Sequence, residues 1–103
     1  MKFLIVGLGS MGKRRIRCLK ALGYTNIAGF DLRNDRRKEA EEKYQIQTYS
    51  DFEEAFNTFF PKAIIISVPP DIHHLYIHKA IQNKVNFFVE ASVIDEDFNS
   101  VIS

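Results

Sequence analysis

"IVGLGSMGKRR", residues 5–15, carries glycines at positions 7, 9 and 12 directly behind an apolar run. The order Gly7-Leu8-Gly9-Ser10-Met11-Gly12 satisfies G-x-G-x-x-G, a spacing that is a weak signal alone because glycine triplets arise by chance. The surroundings select more strongly. "FLIV" (Phe3 to Val6) has no polar alternation, the pattern of a strand buried on both faces of a parallel sheet. From Met11 to Leu22 the period turns helical: at about 100° per residue, Met11, Gly12, Ile16, Cys18, Leu19 and Leu22 share one arc, and Gly23 supplies the stop. The glycines therefore join a buried strand to a helix.

The same alternation continues outward. "NIAGFD" (Asn26 to Asp31) reads as a second strand, and "NDRRKEAEEKY" as a charged helix capped by Asn34 or Asp35. "QIQTY" reads as a short link, and "SDFEEAF" as a third helix opened by a capping box between Ser50 and Glu53. "AIIISV", β-branched almost throughout, is the most strand-like run and is stopped by Pro69-Pro70. Asp71 then caps a helix over "IHHLYIHKAIQN", "NFFVE" is a further strand, and "DEDFNSVIS" forms a short terminal helix. Strands alternating with helices at this spacing predict right-handed βαβ units and an α/β, doubly wound, mostly parallel sheet. The expected form has about five strands in the order 3-2-1-4-5, with helices on both faces.

Composition narrows the function. The 103 residues are 46% apolar and 26% charged, the balance of one ordinary globular domain. A formal charge of +1 leaves no cationic excess for nucleic acid or an anionic membrane to attract. Cys18 is the single cysteine, so no internal disulfide can form, which suits a reducing compartment. The apolar run near the N-terminus, six residues cut by Gly7, is too short for a signal-peptide core, and the cytoplasm is the expected location.

Each motif residue has a physical task. Gly7 makes the tight turn, Gly9 lets a diphosphate approach the backbone, and Gly12 lets the helix pack closely. The free N–H groups and positive dipole end from Ser10 through Met11 and Gly12 to Lys13 face that anion. Asp31, nineteen residues beyond Gly12 at the end of the second strand, accepts hydrogen bonds from the adenosine ribose. Its charge favours NAD; NADP stays possible because Arg33, Arg36 and Arg37 follow closely, although pairing with Glu39, Glu41 and Glu42 on a solvated helix face is the plainer expectation for them. Arg15 lies inside the apolar arc of the first helix, either reaching a phosphate or an acid on the sheet or snorkelling out from the helix edge. His74 and His78 have i, i+4 spacing, but no Cys or carboxylate completes a ligand set, so no metal site is expected. A methyltransferase-type site for S-adenosylmethionine would use a similar turn, but the third glycine inside the helix suits a diphosphate better.

The stretches "FLIVGLGSMGKRRIRCLKALG", "GFD" and "AIIISVPPDIHHLYIHKAIQNKVNFFVE" together resemble the N-terminal half of the glucose–fructose oxidoreductase, inositol dehydrogenase and MocA family over residues 2–90. The resemblance implies NAD(P)-dependent oxidation or reduction at a sugar or polyol carbon. Residue by residue, it implies a cofactor site formed by Gly7, Leu8, Gly9, Ser10, Met11, Gly12, Asp31, Leu32, Arg33, Ser67, Val68, Pro69, Pro70, His73 and Glu90. Two departures stand out. Members usually continue the last strand as Glu-Lys-Pro, with the lysine in the acid–base machinery; here it reads Glu90-Ala91-Ser92, so no catalytic residue is assigned. Arg15 stands where a histidine is common.

The family's substrate-binding domain would begin after roughly residue 103, so the expectation is a truncated dinucleotide-binding domain spanning 1–103 that is silent in isolation. A stand-alone nucleotide-binding or dimerising module is the alternative. The strand over 86–90 is expected at a sheet edge, where exposed apolar residues invite a homodimer.

Overall fold

The computed structural model describes residues 2–68 and 72–89. Nine elements alternate along it: β1 (Phe3–Val6), α1 (Ser10–Ala21), β2 (Ile27–Phe30), α2 (Asn34–Tyr44), β3 (Gln47–Tyr49), α3 (Phe52–Phe59), β4 (Ala63–Ile66), α4 (His73–Gln82) and β5 (Asn86–Val89). The five strands form one sheet in the order β3-β2-β1-β4-β5, and every pairing is parallel. β1 lies at the centre, with Phe3 opposite Ile27 on one side and Ala63 on the other.

Helices on both faces explain the unbroken apolar strands. All four residues of β1, β2 and β4 are buried, and successive side chains enter opposite cores. Phe3 and Ile5 pack with Ile16, Leu19 and Ala40 of α1 and α2. Leu4 and Val6 pack with Ala55 of α3 and Ala80 of α4. Chain order reverses between β1 and β4, which opens a crevice at the carboxyl ends of these two strands.

Several local expectations are corrected. "QIQTY" is no link: Gln47–Tyr49 pairs with β2 as the edge strand β3. Only Tyr49 of its three residues is buried, so the segment lacks an apolar run to announce it. α3 is capped by Asp51, whose Oδ2 accepts from the Glu54 N–H at 3.2 Å, and not by Ser50. The N-cap of α2 is Arg33, without a side-chain cap; Asn34 and Asp35 instead accept hydrogen bonds from Arg37 and Arg33. α1 buries only the stripe Gly12, Ile16 and Leu19, so Cys18 and Leu22, placed on that arc by periodicity, are exposed. Asp71 and the terminal segment from residue 90 onward lie outside the described residues.

β5 is the other edge of the sheet. Phe87 packs toward the α3 and α4 core, whereas Phe88 is 58% exposed on the opposite face.

Candidate functional site

The glycine turn sits in the crevice, where backbone meets backbone. Gly7 has φ +100°, and a Cβ there would stand 2.7 Å from the Ser67 carbonyl oxygen. A Cβ at Gly12 would stand 1.8 Å from the Gly7 carbonyl oxygen, so the first turn of α1 rests directly on the loop. Gly9 is the N-cap of α1 with no side-chain hydrogen bond, and the first turn holds no acidic residue. The opening N–H groups of that helix consequently have no partner within it, and its positive dipole end is not neutralised by a carboxylate of its own.

Asp31 follows β2 immediately and is only 7% exposed. Its Oδ2 accepts from the Leu8 N–H at 2.8 Å, and its Oδ1 accepts from the Arg33 N–H at 2.8 Å. The carboxylate therefore holds the glycine turn and the β2–α2 loop together. Each oxygen retains capacity to accept one more hydrogen bond, which is what a ribose diol requires. Leu8 contributes through its backbone, since its side chain is fully buried in the core.

A cavity of about 240 Å³ opens beside Asp31, with Gly7 and Ser67 at its base and Leu32, Arg33, Arg36 and Val68 around it. That is below the range of about 300–1,000 Å³ typical of whole small-molecule sites, room for one part of an extended ligand. Phe30, Ile72 and Tyr76 complete its wall. Tyr76 stacks edge-on with Phe52 at 4.9 Å, and burial, then the nearby Asp31 charge, push its phenol pKa up. A larger cavity, about 320 Å³, lies by Phe60, Lys62 and Lys84. Those residues precede β4 and β5, so it is at the amino ends of the strands, away from the glycine turn.

Ser67, just past β4, has a hydroxyl oxygen that is buried without a hydrogen-bond partner. His73 does not line the cavity: its Nε2 donates to the Val68 carbonyl at 2.6 Å and so ties the first turn of α4 to the loop after β4. His74 and His78 are exposed. Of the residues expected at the site, the structure gathers Gly7, Asp31, Leu32, Arg33, Ser67 and Val68 around the cavity, with Gly9, Ser10, Met11 and Gly12 along the adjoining helix start. Pro69, Pro70 and Glu90 lie outside the described residues.

The expected pairing of the arginines with Glu39, Glu41 and Glu42 does not form. Glu39 pairs with Lys13 and Lys43, and Glu41 accepts from Thr48. Arg33 grips Asp35, whose carboxyl is held below the usual carboxylate range by that hydrogen bond. Arg37 donates to the Asp31 carbonyl at 2.8 Å, and Arg36 approaches Asp31 Oδ2 at 3.7 Å. The basic face thus turns toward the cavity. Tyr76 and Ile72 belong to no motif in the sequence; the i, i+4 spacing of the α4 N-cap Ile72 and Tyr76 is the local signal that pairs them.

Residues 1–93 match the family described as an oxidoreductase family with an NAD-binding Rossmann fold. No match was found among curated proteins. The fold is similar to myo-inositol 2-dehydrogenase from Lactobacillus plantarum, with a TM-score of 0.78 and 25% identity over 86% of this chain and 27% of that one. It is also similar to prephenate dehydrogenase from A. aeolicus, solved with hydroxyphenyl propionate and NAD+ (TM-score 0.76, 21% identity, 86% of this chain and 33% of that one). A third similar structure is scyllo-inositol dehydrogenase from Lactobacillus casei with NAD(H) and scyllo-inositol bound (TM-score 0.73, 22% identity, 86% and 27%). This chain therefore spans about a third or less of the length of these proteins.

Proposed function

The chain belongs to the oxidoreductase family with an NAD-binding Rossmann fold, and on that premise we propose that it is the dinucleotide-binding part of a sugar or polyol oxidoreductase. The observation that carries this reading is the buried Asp31 carboxylate bonded to the Leu8 N–H of the glycine turn. That contact sets a ribose acceptor beside an uncapped helix start. At Gly9 no backbone obstructs the approach to the helix start, Gly7 and Gly12 let loop and helix pack closely behind it, and the buried Ser67 hydroxyl oxygen beside Gly7 lacks a partner, so the residues fit the group.

In this reading the N–H groups of Ser10, Met11 and Gly12 hold the diphosphate, and Asp31 accepts from the adenosine ribose. Leu32 and Arg33 border the adenosine end. Ser67 and Val68 form the opposite wall, and His73 fixes that wall through Val68. The nicotinamide ring, when bound, accepts or delivers the hydride. NAD is the cofactor this arrangement favours, with NADP as the alternative.

Turnover is not expected from the 103 residues. Ala91 stands where the family resemblance expects a lysine, and a methyl group cannot carry a proton to or from a substrate hydroxyl. The reaction of the whole oxidoreductase would need groups from outside this stretch. Among the described residues no helix is long and apolar enough to cross a membrane.

Exposed Phe88 and Val89 on the β5 edge favour a second feature, self-association through that strand, which is also what a stand-alone dimerising module would use. Calorimetric titration with NAD and NADP tests the main reading. Micromolar to low-millimolar binding of either supports it, and no heat from either at millimolar concentration overturns it.

A further inference from the structure

The larger cavity, about 320 Å³, is at the other end of the sheet from the glycine turn, where α3 and α4 end ahead of β4 and β5. Its volume falls within the range of complete small-molecule sites, about 300–1,000 Å³. Phe56 and Val85 give it an apolar floor that continues into the core under α3 and α4. Asn57, Phe60, Lys62 and Lys84, all exposed, stand around the rim.

Two backbone positions on the rim are strained. Among the described residues only Gln45, Phe60 and Lys84 combine a side chain with positive φ, and two of the three line this cavity, Phe60 at φ 53° and Lys84 at φ 56°. Glycine adopts that left-handed conformation freely, whereas a bulky side chain does so at a cost. Phe60 recovers little of it by packing, since it is 69% exposed. The two rim lysines are not needed to serve the helix ends that meet here either. Lys2 Nζ donates to the Phe59 carbonyl at 3.1 Å, and Asn83 Nδ2 donates to the Lys79 carbonyl at 2.9 Å. Among the described residues, neither the Lys62 nor the Lys84 ammonium has an acid or another acceptor to hold. Two uncommitted ammonium groups and an exposed ring therefore border one apolar hollow.

We propose that this cavity is a second ligand site, for a small phosphate monoester with a hydroxylated carbon body, the chemistry of a sugar phosphate. Lys62 and Lys84 take the phosphate, whose charge of about −1.5 to −2 and three acceptor oxygens match two ammonium groups. Phe60, Phe56 and Val85 cover the C–H surface of the carbon body, and the amides of Asn57 and Asn83 bond its hydroxyls. The left-handed strain at Phe60 and Lys84 is the cost of aiming those two side chains at the ligand. The site shares no residue with the crevice that holds the glycine turn, so it stands independently of the dinucleotide reading and both sites fill at once.

The test titrates the full chain with glucose 6-phosphate, inorganic phosphate and glucose by calorimetry, and repeats this on Phe60→Gly, Lys84→Gly and Lys62→Gln after thermal unfolding of each. Glucose 6-phosphate should bind at low-millimolar concentration or better, inorganic phosphate about fivefold or more weakly, and glucose without measurable heat. Phe60→Gly and Lys84→Gly should raise Tm by about 2–6 °C, because the strain is released, and still weaken glucose 6-phosphate by about fivefold or more. Lys62→Gln, at an unstrained position, should weaken it as much with Tm within about 2 °C of wild type. No heat from glucose 6-phosphate at tens of millimolar overturns the inference. Inorganic phosphate bound as tightly as glucose 6-phosphate marks an adventitious ion only and overturns it too. Displacement of glucose 6-phosphate by NAD, or its loss in Gly9→Ala, puts the phosphate at the start of α1 and has the same force. Glycine variants that bind like wild type, or that melt below it, remove the link between strain and ligand and refute the site. None of these results touches the dinucleotide reading, which the NAD titration decides separately.

Discussion

Two of the motif glycines, Gly12 and Gly9, should respond to a methyl group in different ways, and the contrast separates folding from binding. In Gly12→Ala the new Cβ stands 1.8 Å from the Gly7 carbonyl oxygen, whereas ordinary contact begins near 3.4 Å, so loop and helix must separate by about 1.6 Å. The obstruction is backbone, and Gly7 is itself fixed, with the Ser67 carbonyl 2.7 Å from where its own Cβ would be. Alanine in a helix gains about 0.5–1 kcal/mol over glycine. Overpacking costs about 1–3 kcal/mol and more where nothing can yield, so the net loss is about 2 kcal/mol. For a domain of this size that lowers Tm by about 8–16 °C. Gly9→Ala meets only the far end of Arg36, on a backbone with φ −76° that any residue adopts. Its stability loss should stay below about 1 kcal/mol, set by the poorer N-cap. Gly9→Ala should nonetheless weaken NAD tenfold or more, because the methyl occupies the diphosphate approach. Urea denaturation with m-values, together with calorimetric titration, reads both effects. A Gly12→Ala chain melting within 2 °C of wild type, or a Gly9→Ala chain less stable than it, would refute the reasoning.

Asp31→Ala strips acceptors from the buried Leu8 N–H and from the Arg33 N–H, so it should cost about 1–3 kcal/mol in denaturant titration and abolish detectable NAD binding. Unchanged stability would show that water replaces both bonds. The Tyr76 phenol, raised by burial and by Asp31, favours its neutral form in the folded chain; its contribution is complete below the unfolded value of about 10 and is lost as pH rises through the higher folded value. Tyr76→Phe should therefore flatten the fall of Tm above about pH 10, and an identical pH profile would count against it. Phe88→Lys places a charge on the exposed face of the β5 edge and should leave a monomer in sedimentation velocity at concentrations where wild type associates. A wild-type chain that is monomeric throughout removes the edge-pairing proposal.

Period and spacing in the chain were enough to determine the fold class, the positions of β1, α1, β2, β4, α4 and β5, and the cluster of Gly7, Gly12, Asp31 and Ser67. Those features rest on local rules: unbroken apolar runs for strands covered on both sides, a three-to-four-residue period for helices, and glycine where backbones touch. β3 escaped because an edge strand of three residues with a single buried side chain leaves no periodic trace. Cys18 and Leu22 were misplaced because a helical wheel shows an arc but not how much of it the neighbouring elements cover. Charge pairing was the least legible. Glutamates four residues away looked like partners for the arginines of α2, yet the rotation of that helix against the sheet brings Arg36 to Gly9 and Asp31 and gives Glu39 to Lys13. Tyr76 reaches the same cavity from α4, more than forty residues from Asp31 in sequence. Such meetings depend on how whole helices dock over the crevice between β1 and β4, a long-range property of the packed sheet that no window of local sequence contains.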